Sequence, residues 1–137
     1  MSLVEALSEA HSHHGAYKKV VELFRFDPEA LRTVRQRVAL GVSLAELGED
    51  VDAARLLYAV ASGERAKTIP PITHYYLAKL SLKRSGSKAD AIAYLERFLS
   101  ASAVEADYLV DGWDPYSVTA KREVAQTLLA DLKALRR

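Results

Sequence analysis

The residues best suited to chemistry in this chain are three histidines in the segment HSHHGAYKK, residues 11–19. His11 and His14 are three positions apart, so they would share one face of a helix, and imidazole is a good ligand for transition metals. A structural zinc ion needs four ligands, and no cysteine or nearby acid completes the set. The competing interpretation places His11, His13 and His14 in the last turn of a helix that ends at Gly15, where imidazoles bond the terminal carbonyls. The sequence favours this second interpretation, and a metal-binding protein stays an alternative.

A second group of reactive side chains is the acidic stretch EADYLVDGWD, residues 105–114. Its acids do not match the ligand spacing of a calcium-binding EF-hand loop. Paired carboxylates for general acid–base catalysis would need a cleft, and nothing in the sequence indicates one. We favour a polar loop in which Tyr108 and Trp113 cover the neighbouring helices and Asp114 caps the next helix. An enzyme that uses these carboxylates stays an alternative, and we predict no catalytic residue, bound metal or cofactor.

The composition is that of an ordinary soluble domain. The chain has 137 residues, of which 50% are apolar and 27% charged, and its length fits one domain with a real core. The formal net charge of +1 gives no overall field that would recruit nucleic acid or an acidic membrane. Residues 1–10 carry two glutamates and lack the pattern of a secretory signal, and no apolar stretch approaches the ~18 residues of a membrane span. We therefore expect a cytoplasmic protein without cysteine chemistry, nucleic acid or membrane partners.

Apolar residues recur at helical spacing along the whole chain. Leu40, Leu44 and Leu47 form one such stripe, and no stretch shows the strict alternation of a half-buried strand. Asp-Pro dipeptides at 27–28 and 114–115 each offer an aspartate N-cap followed by proline at the first helical position. The sequence predicts an all-α protein, with glycine ending the helices at Gly15, Gly48 and Gly86. The predicted helices are 2–14, 16–26, 28–47, 50–65, 71–84, 88–102 and 115–135.

The chain also repeats itself. Leu40-Gly41, Ala54 and Tyr58 fall on Leu77-Ala78, Ala91 and Leu95 at an offset of 37, whereas Gly48 falls on Gly86 at an offset of 38. A looser third copy, with Leu7, Gly15, Val20 and Phe24, precedes these at an offset of 33 or 34. Helix–turn–helix units of this period, with small residues where helices touch, are typical of α-solenoids.

These segments resemble the tetratricopeptide repeat. ALGVSLAELGEDVDAARLLYAVA has the family's Leu-Gly, its turn glycine, and an alanine followed by an aromatic; YLAKLSLKRSGSKADAIAYLERFL and ALSEAHSHHGAYKKVVELFRFDP are similar. The family's tryptophan position is not met, the second repeat is longer than the ~34 residues of the pattern, and Val20 replaces a small alanine. The resemblance implies one domain, 1–137, folded as an α-α superhelix. Its parts would be repeat 1 at 2–27, repeat 2 at 28–66, repeat 3 at 71–102, a loop at 103–114 and a capping helix at 115–135.

The resemblance also implies a non-catalytic adaptor or small chaperone that binds a peptide or amphipathic helix of a partner protein in its concave groove. We predict that the groove is lined by Arg35, Val38, Val42, Tyr75, Tyr76, Lys79 and Lys83. The alternative for the apolar members of this set is burial in the core between helix pairs. Val38 and Val42 occupy first-helix positions that some relatives use to clamp a partner's C-terminal carboxylate, so such a clamp is not supported. We expect a monomer or a weak dimer.

Overall fold

The computed structural model describes residues 13–26, 29, 31–63, 69–84, 86–102 and 118–135, and within these ranges it contains helices and no strand. The prediction of an all-α protein is confirmed. The longer helices are α1 (His13–Phe26), α2 (Val34–Glu46), α3 (Asp50–Gly63), α4 (Ile72–Arg84), α5 (Lys88–Ser102) and α6 (Val118–Leu135). The acidic stretch 105–114 and most of the predicted first helix lie outside the described residues.

The start of α2 differs from the prediction. The helix begins at Val34 rather than at residue 28, because Thr33 caps it. The Thr33 hydroxyl accepts the Gln36 N–H at 3.1 Å, and the Gln36 side-chain oxygen accepts the Thr33 N–H at 2.9 Å. This reciprocal capping box satisfies two backbone donors at once, and it fixes the first turn of the helix more firmly than a single cap.

Two of the three predicted glycine stops are confirmed. Gly48 and Gly86 have φ values of 84° and 68°, the left-handed region that favours glycine. After α2, the Glu49 N–H reaches the Leu44 carbonyl at 2.9 Å and the Gly48 N–H reaches the Ala45 carbonyl at 3.1 Å, which is a Schellman motif.

The third predicted stop, at Gly15, is wrong. Gly15 lies inside α1, so the helix runs through it, and His14 belongs to the first described turn of that helix rather than to a helix C-terminus. The two left-handed glycines lie where the next helix must turn back on its partner, whereas nothing in the described backbone turns at Gly15. A glycine in a sequence permits such a turn without requiring it.

The helices pack in chain order. Each described helix contacts the next one along the sequence, and α2 also contacts α4, as α4 contacts α6. Helices α2 and α3 therefore form one antiparallel pair and α4 and α5 the next, named here pair two and pair three, and their first helices lie side by side. This packing is consistent with an all-α helical-repeat arrangement. Helix α6 occupies the place that the first helix of a further pair would take.

Burial shows the true register between the two pairs. In the first helices, buried residues match at an offset of 37, for example Val38 with Tyr75. In the second helices they match at 38: the buried pairs are Ala53 with Ala91, Leu57 with Leu95, and Val60 with Phe98. The predicted match of Tyr58 with Leu95 is wrong, because Tyr58 is 40% exposed and Leu95 is fully buried. The extra residue of pair three lies in its turn, before the second helix begins.

A close contact explains one small residue of the repeat. A Cβ atom built on Gly41 would lie 2.6 Å from Cδ2 of Leu57 and 2.8 Å from its Cγ. Helix α2 therefore approaches α3 more closely than a side chain at position 41 would allow. Ala78, the smallest chiral residue, occupies the equivalent position in pair three and is fully buried.

Candidate functional site

The structure divides the seven predicted groove residues into two classes. The apolar and aromatic members are core: Val38 and Val42 are 0% exposed and Tyr75 and Tyr76 are 2% exposed. The basic members, Arg35, Lys79 and Lys83, are exposed. The four buried side chains cannot present an open apolar strip to a partner, so burial in the core, the alternative that the sequence left open, is what the structure shows. Binding by the three basic residues stays a prediction.

The reason for this burial is that α2 and α4 contact each other directly. The Tyr76 hydroxyl donates a hydrogen bond of 2.5 Å to the Glu46 carboxylate on α2. The Tyr75 ring packs on Phe98 of α5, with ring centroids 5.4 Å apart, and on the edge of Tyr76 at 5.2 Å. Both tyrosines thus face neighbouring helices. The sequence placed them on the free side of α4 because apolar residues occupy almost every face of this helix.

A buried hydrogen-bond chain joins three helices at this place. The hydroxyl of Tyr17, on α1, is hydrogen-bonded to that of Tyr76. Burial, followed by the negative charge of Glu46, raises the pKa of Tyr76 far above its usual value, and the same two causes raise the pKa of Tyr17. The hydroxyls therefore stay protonated, and the chain acts as a structural tie rather than as a base.

Above this tie lies a shallow depression of about 130 Å³ between α2 and α4. It is lined by Ala45, Glu46, Asp50, Tyr76, Lys79, Leu80 and Lys83. The Lys79 ammonium lies 5.4 Å from the centre of the Tyr75 ring and 5.6 Å from that of Tyr76, within the range of a cation–π contact. Lys83 forms an ion pair with Asp50 at 3.0 Å. The depression thus combines two exposed ammonium groups with two carboxylates, and Lys79 has no acidic partner among the described residues.

A second pocket, of about 290 Å³, lies between α3 and α4 on the other side of Leu80. It is lined by Ala54, Tyr58, Leu80, Ser81 and Arg84. This pocket was not predicted from the sequence, because the repeat alignment matched Tyr58 with Leu95, which is a core residue. The available signal was the glycine offset of 38, which moves Tyr58 off the buried face.

The Tyr58 ring, which lines this second pocket, belongs to a cluster of aromatic side chains. The rings of Tyr58 and Tyr94 meet edge to face with centroids 6.2 Å apart, and His74 stacks on Tyr94 at 6.4 Å. Burial, followed by a hydrogen bond with Tyr58, raises the pKa of Tyr94 to about 12. Burial and the nearby charge of Arg97 lower the pKa of His74. At neutral pH both side chains are therefore uncharged, which suits a packed aromatic cluster.

Two alternative kinds of site remain, a metal site at the histidines and a catalytic site at the acids of 105–114, and the described residues form neither of them. No three histidine, cysteine or acidic side chains come together there as a metal site would require, and His11 lies outside these ranges. The carboxylates of 105–114 also lie outside them, so both the metal-binding and the enzymatic hypotheses stay untested. Of the helices described, none combines the length and apolarity that crossing a membrane would demand. No family model, curated protein or solved structure matches this chain.

Proposed function

We propose that this protein is a non-catalytic interaction module, a tetratricopeptide-like solenoid that binds a peptide or amphipathic helix of a partner protein, as adaptors and small chaperones do. The observation that carries the proposal is the packing of first helix on first helix, α2 on α4 and α4 on α6. In a stack of helix pairs, such a row of first helices forms one continuous face that is open to a ligand.

The structure changes the chemistry that this face would recognise. Because the tyrosines and valines are buried, the residues left to meet a partner on α4 are basic, with Lys79 and Lys83 at the mouth of the depression. Complementary charge speeds association and fixes the register of a complex. Lys79, which has no acidic partner among the described residues, should therefore meet an acidic group of the partner segment, and the affinity should fall as the salt concentration rises.

Affinity capture from a lysate of the native host tests this proposal. We would compare the wild-type protein with Lys79→Gln/Lys83→Gln and with the control Lys18→Gln/Lys88→Gln, which removes the same charge from exposed positions on α1 and α5. A partner captured by the wild type and the control should be lost, at least tenfold, from the first variant, as expected for the truncation of two interface contacts.

Circular dichroism and thermal melting of all three proteins would show that the fold is unchanged. Capture at the wild-type level by both the Lys79→Gln/Lys83→Gln variant and the control would contradict the α2–α4 face as the binding surface. Weak capture by both variants alike would show that general positive charge, rather than this face, holds the partner.

The proposal includes a setting. The proposed location is the cytoplasm, with which the absence of cysteine is compatible, and the proposed state is a monomer or weak dimer. Helix α6 buries Ala125 and Leu132 against the stack but leaves Val124 52% and Leu135 66% exposed. The described residues expose five large apolar side chains in all, spread over α1, α3 and α6, which is few for a tight dimer that buries on the order of 1,000 Å² or more.

A further inference from the structure

The pocket between α3 and α4 is half-open, and most of its exposed lining is polar. Ala54 and Leu80 form its floor but are only 1% and 4% exposed, whereas Tyr58 and Arg84 stand at its edge in solvent. Ser81 adds a hydroxyl near the floor and is itself 6% exposed. The apolar surface that the pocket offers to a ligand is therefore the Tyr58 ring, and Arg84 lines the same pocket.

The aromatic wall of this pocket is already held in place. The Tyr58 ring packs edge to face against Tyr94. Tyr94 is in turn covered by His74 and by the Arg97 guanidinium, which lies 5.7 Å from its ring centre. A wall fixed before binding loses little conformational entropy when a ligand arrives. Tyrosine and arginine are also the residues over-represented at the centres of protein interfaces.

The charge around the pocket favours an anion. The last turns of α4 carry Lys79, Lys83 and Arg84, and of these three only Lys83 is paired with an acid among the described residues, Asp50. Arg84 is exposed at the rim, directly beside the apolar floor. A guanidinium group offers two parallel donors that match a carboxylate.

We propose that this pocket binds a peptide of a partner protein in which an apolar side chain neighbours an acidic one. The apolar side chain would pack on the exposed ring of Tyr58, and the carboxylate would lie on Arg84. The inference rests on the proposed function, since it names a second contact of the same partner. This contact lies across Leu80 from the depression that holds Lys79 and Lys83.

Nuclear magnetic resonance titration with two matched peptides tests the pocket by itself. The probes are N-acetyl-Phe-Glu-amide and N-acetyl-Phe-Gln-amide, which have the same shape and differ in one negative charge. We expect shifts of the backbone amides of Ala54, Tyr58, Ser81 and Arg84. The glutamate peptide should bind roughly fivefold more tightly than the glutamine peptide, which is typical of a partly exposed charge contact.

Two protein variants separate the pocket from general attraction. Arg84→Gln should remove the preference for the glutamate peptide, while Arg122→Gln, which removes the same charge from α6, should retain it. The proposal is overturned by equal binding of the two peptides to the wild type, by shifts confined to other residues, or by no shifts up to the solubility limit of the peptides.

The test also distinguishes this pocket from the proposed function. Partner capture that depends on Lys79 and Lys83, together with failure of both peptides, would overturn the pocket and leave the interaction module standing. Glutamate-selective binding at Arg84 without any captured partner would support the pocket and leave the module unsupported.

Discussion

Pair two and pair three share one arrangement of helices but differ in the side chains that they expose to solvent. Val38 and Tyr75 are equivalent and both buried, and Gly41 and Ala78 are equivalent and both small. Four residues after Val38 and Tyr75, the two helices differ. Val42 is fully buried, whereas its counterpart at an offset of 37, Lys79, is exposed.

The next equivalent position differs in charge. Glu46 of pair two accepts the Tyr76 hydrogen bond, whereas Lys83 of pair three forms an ion pair across to Asp50. Several positions that pack one helix on another therefore agree between the two pairs, whereas the positions of Lys79 and Lys83 differ and give α4 its exposed ammonium groups. If the proposed function is right, disagreement between the two pairs marks the binding surface better than agreement does.

The largest expected effect comes from truncating a buried aromatic residue at a position that is buried in both pairs. Tyr75→Ala should lower the free energy of unfolding by about 3 kcal/mol or more, because it deletes a buried ring that packs on Phe98. Val38→Ala, the same position in pair two, removes fewer buried atoms and should cost less, about 2 kcal/mol. Urea denaturation followed by circular dichroism measures both. A loss below 1 kcal/mol for Tyr75→Ala would mean that its ring contributes little to the core and would reopen a place for it on the binding face.

A smaller effect is expected where α2 and α3 approach most closely. Gly41→Ala places a methyl group 2.6 Å from the Leu57 side chain, and overpacking of this kind costs about 1–3 kcal/mol. The better helix propensity of alanine returns up to about 1 kcal/mol of this. The measurement is again the free energy of unfolding. In the double variant Gly41→Ala/Leu57→Ala the clash is absent. The summed losses of unfolding free energy of Gly41→Ala and Leu57→Ala should therefore exceed the loss of the double variant. Additive losses would contradict a direct contact between these residues.

The comparison of the two pairs also shows what the sequence could predict. Helix type and the left-handed turns at Gly48 and Gly86 are local signals, and the structure bears them out, while the packing of the helices is consistent with the predicted repeat. Other features depend on tertiary neighbours. Gly15 could end a helix and does not, and the start of α2 was set by the Thr33–Gln36 capping box instead of the Asp-Pro dipeptide.

The candidate site was less predictable than the fold, because it depends on which side chains the neighbouring helices bury. Helix α4 is apolar on most faces, so its pattern could not show that Tyr75 and Tyr76 face α5 and α2 instead of solvent. The basic residues were easier to place, because lysine and arginine are almost never fully buried. Tyr58 was missed for a different reason. A one-residue error in register moves a helical side chain by about 100°, from the core to the surface.

The smallest effect is expected on the surface where the two pairs differ most. Lys83 and Asp50 are 3.0 Å apart, but the lysine side chain is 60% exposed, so the ion pair should contribute at most about 1 kcal/mol to stability. A double-mutant cycle with Lys83→Gln and Asp50→Asn measures the coupling, which should shrink further in 1 M salt because exposed charges are screened. This small value matters for the binding experiment. If the Lys83→Gln protein melts almost as the wild type does, its loss of a partner reports a missing contact and not a damaged fold. A coupling above about 2 kcal/mol would instead show that Lys83 serves mainly to tie α4 to α3, and recognition of the partner would then depend on Lys79 and Arg84.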